Sequence, residues 1–128
     1  MLANSQTQVM ELGDEPYQFF KKFPHISVAV DAKRKEGIFK LLQMQPKPEV
    51  VILDDAFQHR YVQPGLSILL TPYDDLISDD FMVPVGRLRE FASGVKRADI
   101  VMVTKCTDRT SISEKEDIRL RLKLKNQA

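Results

Sequence analysis

Apolar residues in this chain fall into four short, nearly continuous runs at residues 26–30, 50–53, 66–70 and 100–103. Longer stretches of mixed polarity separate them, which predicts strands alternating with helical segments. The run Val50, Val51, Ile52 and Leu53 shows no alternation at all, the pattern of a strand covered on both faces. It stops abruptly at Asp54 and Asp55. Ahead of the first run, Gly13, Asp14, Glu15 and Pro16 open a segment whose aromatics, Tyr17, Phe19, Phe20 and Phe23, are spaced as on a short helix, with Asp14 placed to cap it. Beyond Asp31, Ile38, Leu41 and Leu42 share a helical face. Residues 87–97 form a basic, helix-like stretch. Ser113, Glu114, Lys115 and Glu116 read as a capped helix start, and the alternation of Ile118, Leu120, Leu122 and Leu124 leaves helix or strand open beyond it. Pro24, Pro46, Pro48 and the pair Pro64 and Gly65 punctuate these elements. The expected fold is α/β, a mainly parallel sheet flanked by helices, with the four runs as its strands.

Size and composition narrow the class without naming a function. A chain of 128 residues suits one domain, and 43% hydrophobic against 29% charged residues is a globular balance. Lys and Arg number 19 against 18 for Asp and Glu, a net charge of +1, so no general field attracts nucleic acid. The lone Cys106 can form no intrachain disulfide, and its apolar neighbourhood reads as a buried thiol in a reducing compartment. No apolar run approaches the roughly 20 residues that span a bilayer, and the first residues lack a signal-peptide pattern.

Ligands of parallel sheets gather beyond the carboxyl ends of strands, where Asp54 and Asp55 stand. An apolar strand ending in an acid is also how P-loop enzymes hold Mg2+. Within the next turn Gln58, His59 and Arg60 add an amide, an imidazole and a guanidinium. Residues 54–60, Asp-Asp-Ala-Phe-Gln-His-Arg, resemble the DDGFQHR signature of the lipid A 4'-kinases, departing only at Ala56. Gly13, Asp14, Glu15 and Pro16 resemble the GDEP segment of that family. Residues 83–90, Val-Pro-Val-Gly-Arg-Leu-Arg-Glu, resemble its PAG-x-LRE segment, and Lys96, Arg97, Ala98 and Asp99 its KRAD stretch. Four motifs in one order make a specific signal.

The resemblance implies a P-loop NTPase-like (Rossmann-like) kinase domain, of which residues 1–128 would be a single partial domain. It implies transfer of the γ-phosphoryl of ATP, with Mg2+, to the 4'-hydroxyl of an acylated glucosamine disaccharide phosphate, a late step of lipid A biosynthesis. In that reading Asp14 is the base, Asp54, Asp55 and Glu90 lie on the metal side, and Gln58, His59 and Arg89 position groups or contact phosphate. The family works at the cytoplasmic face of the bacterial inner membrane, which it would meet through parts outside this chain. No G-x-x-x-x-G-K-[ST] loop occurs in the sequence, so the ATP cradle is expected upstream and the isolated chain is expected to be inactive. Val85 and Phe91 also depart from the family pattern, and Ala56 would strain its turn if the family glycine supplies a positive φ.

Plainer readings stand beside these. Asp14 could only cap its helix, His59 could only bond its own loop, and Arg89 and Glu90 could be an exposed surface pair. His25 reads as a loop residue, and the acids Asp74, Asp75, Asp79 and Asp80 as a solvated loop. A non-catalytic binding remnant is one alternative function. A receiver-like signalling domain is another, invited by Thr104 and Lys105, but the first run ends in Asp31 and Ala32 where such a domain needs an acidic pair.

Overall fold

Residues 1–124 are described in the computed structural model, as two compact units, Met1–Asp54 and Asp55–Ala128. The second unit holds the sheet. Strand β1 (Ile68–Pro72) runs parallel to β2 (Ile100–Thr104), in a register that sets Ile68 opposite Ile100 and Pro72 opposite Thr104. β-branched residues favour both strands, Ile68 and Thr71 in β1 and Ile100, Val101, Val103 and Thr104 in β2. At their start the Asp99 carboxylate accepts from the Ser67 N–H at 2.8 Å, and the Ser67 carbonyl accepts from the N–H groups of Asp99 and Ile100. Parallel strands cannot be joined by a tight turn, so residues 73–99 cross over. A 3-10 helix, η1 (Ala92–Arg97), ends that connection and buries Val95, with Ala98 buried beside it in sequence.

Helix α4 (Ile112–Arg121) settles the segment left open between helix and strand. Its N-cap is Ser111, two residues ahead of the expected start. The Ser111 hydroxyl accepts from the Glu114 N–H at 3.2 Å while the Glu114 carboxylate accepts from the Ser111 N–H at 2.7 Å, a reciprocal box that satisfies two otherwise orphaned donors. Ile118 and Leu122, four apart, then face one way and join Leu76 in the core, with Tyr73, Ile77, Val101 and Val103 packed against it. Thr71, 1% exposed, accepts from the Ile77 N–H at 2.9 Å and so fixes the chain as it leaves β1.

The first unit contains three helices, α1 (Val9–Leu12), α2 (Asp14–Lys22) and α3 (Arg34–Leu42). The expected four-stranded sheet is therefore reduced to two strands. Residues 26–30 form only an isolated antiparallel bridge, Leu2 with Ala29, because the partner that reaches them is the chain's own start: Ala3 N–H donates to Val28 at 2.9 Å and Val30 N–H to Met1 at 2.8 Å. Residues 50–53 pair with nothing that makes a strand, and Val50 and Ile52 are 75% and 87% exposed. Continuous apolarity signals a buried strand only where neighbouring backbone is present to bond it.

Three further expectations are corrected. Residues 87–97 are not one helix but an extended turn followed by η1, since the Asp80 carboxylate accepts from the N–H of Phe81 at 2.7 Å and of Arg87 at 3.3 Å and bends the chain there. A Cβ at Gly86 would lie 2.3 Å from both Asp80 Oδ1 and the Phe81 carbonyl, so only glycine closes this loop. Cys106 is exposed, past the end of β2. Asp75, Asp79 and Asp80 are paired with arginines, Asp75 and Asp80 with Arg87 and Asp79 with Arg121.

The capping box carries a pH dependence. The Ser111 hydroxyl first, then the Ser111 N–H and the Tyr73 hydroxyl, hold the Glu114 pKa below the ordinary glutamate value. A depressed carboxylate pKa contributes stability that is complete above the unfolded value and lost as pH falls through the lower folded one. Acid titration followed by circular dichroism is therefore expected to show α4 weakening in that window, and Glu114→Gln to flatten the response. An unchanged acid profile in Glu114→Gln would remove Glu114 as its source.

Candidate active site

The site residues read from the sequence divide between the units. Asp14 and Asp54 belong to the first, and Asp55, Gln58, His59, Arg89 and Glu90 to the second. Asp14 is not a cap. Helix α2 begins at Asp14 itself, with Gly13 as N-cap at φ 91° and no side-chain cap bond. Glycine reaches that conformation at little cost, which leaves Asp14 exposed in the first turn, where a negative charge meets the positive end of the helix dipole. Asp54 is exposed at the end of its unit.

In the second unit, residues 55–60 form a run of turns. Asp55 takes a left-handed conformation, φ 42°, which Asp and Asn adopt more readily than other side chains. Ala56 is not among the described residues with positive φ; the unusual backbone falls on its neighbour, so alanine strains nothing at this position. His59 N–H donates to the Ala56 carbonyl at 2.9 Å, and Phe57, Gln58 and His59 are half-buried.

Arg89 and Glu90 do not pair with each other as a surface couple would. Arg89 Nη1 donates to Asp55 Oδ2 at 2.7 Å, which brings together two residues singled out 34 positions apart. Glu90 instead receives Arg97, whose Nη2 lies 2.5 Å from both carboxylate oxygens, and Arg60 Nη2 at 3.6 Å. Arg97 also donates to the Phe57 carbonyl at 3.2 Å and places its guanidinium 4.3 Å from the centre of the Phe57 ring. Arg60 and Arg97 lie in two of the family-like motifs and carry no role in the sequence reading; the signal available was an arginine in each motif.

No group of three or more His, Cys, Asp or Glu side chains able to hold a metal ion occurs among the described residues, and Asp55 and Glu90 each face a guanidinium. Magnesium at phosphoryl-transfer sites is commonly held by one or two carboxylates together with substrate phosphates and water.

The second unit is thus α/β, with acids and arginines paired across its loops. The family model for tetraacyldisaccharide-1-P 4'-kinase matches residues 1–128, and the chain belongs to that family. It is similar to the tetraacyldisaccharide 4'-kinase of Flavobacterium johnsoniae, 55% identical over 97% of this chain and 36% of the relative. The enzyme of the same name from Flavobacterium psychrophilum is 58% identical over 83% of this chain and 31% of its own length, and that of Bacteroides thetaiotaomicron 57% over 83% and 28%. The chain thus spans about a third of these relatives. No solved structure matches it.

The left-handed backbone of Asp55 separates two substitutions. Both lose the exposed pair with Arg89, but Asn tolerates φ 42° and Ala does not. Asp55→Ala is expected to be less stable than Asp55→Asn by about 1 kcal/mol in urea unfolding. Equal stabilities would show that the turn relaxes out of this conformation.

Proposed function

We propose that residues 1–128 form the central part of a kinase domain that transfers the γ-phosphoryl group of ATP to the 4'-hydroxyl of a tetraacylated glucosamine disaccharide 1-phosphate. The observation that carries this reading is the family match along the whole chain, supported by the joining of two of its motifs through Asp55 and Arg89. The domain is of the P-loop NTPase type, its phosphate-cradling loop lying in the part of the family beyond these residues. No helix among the described residues is long and apolar enough to cross a membrane; on the family reading alone, the full-length enzyme works at the cytoplasmic face of the bacterial inner membrane.

Phosphoryl transfer asks the protein for position and charge rather than covalent chemistry. Asp14 is the base in this proposal: exposed at a helix start, its carboxylate is available to orient the attacking hydroxyl and take its proton. Arg89 supplies a fork of donors suited to phosphate oxygens and exchanges its Asp55 partner for them when substrate enters. Gln58 and His59, half-buried in the turn, orient the loop toward the phosphate. Asp54 and Asp55, adjacent in sequence, are the acids this reading sets on the Mg2+ side.

The test is a chimera in which this chain replaces the matching third of the Flavobacterium johnsoniae relative, assayed for transfer of labelled phosphate to the disaccharide. Transfer is expected, and Asp14→Asn is expected to lower turnover by roughly 10²-fold or more with little change in apparent ATP affinity. A folded chimera without transfer contradicts the function, and full activity in Asp14→Asn contradicts the base.

A further inference from the structure

We infer that Arg97 is a positioning residue that clamps the turn at residues 55–60 to Glu90, and that Glu90 serves as a strut in this clamp rather than as a metal ligand. Three contacts converge on one side chain. The guanidinium meets both oxygens of Glu90 at 2.5 Å, donates to the Phe57 carbonyl at 3.2 Å and lies over the Phe57 ring at 4.3 Å. Its nitrogens divide the bonds, Nη2 to Glu90 and Nη1 to the Phe57 carbonyl, while the planar face lies over the ring; a lysine ammonium, with one nitrogen and no planar face, does not reproduce this set.

The surroundings favour a fixed geometry. The Glu90 side chain is 17% exposed and that of Arg97 37%, so the pair is shielded more than the Arg89–Asp55 pair, whose side chains are 66% and 71% exposed. Arg97 is the last residue of η1, directly before the buried Ala98 and β2, and its backbone is therefore anchored by the sheet. The clamp transmits that anchorage to the turn carrying Phe57, Gln58 and His59. Arg60 at 3.6 Å from Glu90 adds a second cation from the turn itself. A carboxylate engaged by two arginines is a poor Mg2+ ligand, since binding the ion would mean giving up both charge-assisted pairs.

The inference rests on the kinase reading for its purpose, but its test needs no kinase activity. In the 128-residue chain, nuclear magnetic resonance of the Arg97 guanidinium is expected to show separate Nη signals, the mark of rotation hindered by Nη2 held on Glu90 and Nη1 on the Phe57 carbonyl. Glu90→Gln is expected to merge them. Arg97→Ala and Arg97→Lys are both expected to shift the Phe57 ring and His59 signals while β1 and β2 stay unshifted, and saturating Mg2+ is expected to leave the Arg97 signals in place. Merged signals in the unmodified chain, wild-type Phe57 and His59 signals in Arg97→Lys, or release of Arg97 by Mg2+ would each overturn the clamp. A clamp that passes these tests while the chimera transfers no phosphate retires the kinase reading alone.

Discussion

The parallel pairing of β1 with β2 is the constraint from which the second unit follows. Two parallel neighbours require a long crossover, and here that crossover is residues 73–99. It contains the bend around Asp80, the Arg89 and Glu90 pair of motif residues, and η1 ending in Arg97. The pairing thus does more than bury Val101 and Val103 against Leu76 and Ile118. It returns Arg97 to the start of β2, where its side chain reaches back to the turn at residues 55–60.

Guanidinium–carboxylate pairs then decide how the loops lie. Arg87 joins Asp75 and Asp80, Arg89 joins Asp55, Arg97 joins Glu90, and Arg121 joins Asp79. Most of these are exposed and contribute little to stability individually. Their weight is geometric, because forked donors fix orientation as well as distance. Under the proposed function, arginines held by acids are ready for phosphate, since the anion replaces the acid without a new cation being brought in. The chain belongs to the tetraacyldisaccharide 4'-kinase family, and two of its motif acids, Asp55 and Glu90, are each held by an arginine.

Much of this was legible in the sequence wherever the signal was local. The motif at residues 54–60, the run at residues 100–103 and a helix near residue 113 were all found, and the family was named from four short motifs that the comparison bears out. The failures share a cause. Residues 26–30 and 50–53 have strand composition, but a strand exists only with a partner, and partnership is not written in the segment itself. Asp14 looked like a cap because Asp caps well; Gly13 took that place through a backbone angle no side-chain preference reveals. Residues 87–97 looked helical by charge and spacing, yet the Asp80 carboxylate, reaching the N–H of Arg87 from seven residues away, set the bend. Arg97 was missed because its two partners, Glu90 and Phe57, lie 7 and 40 residues distant.

Native-state hydrogen exchange on the 128-residue chain tests most directly whether the β1 and β2 pairing organises the molecule. The N–H groups of Ile100 and Tyr73, bonded to the Ser67 and Thr104 carbonyls at 3.1 and 2.8 Å, are expected to exchange only through unfolding of the second unit. The amides of residues 50–53, whose Val50 and Ile52 side chains are largely exposed, are expected to exchange near the open-chain rate. Strong protection at residues 50–53 together with rapid exchange at Ile100 and Tyr73 would contradict the account, because the sheet would then be built on the other apolar run.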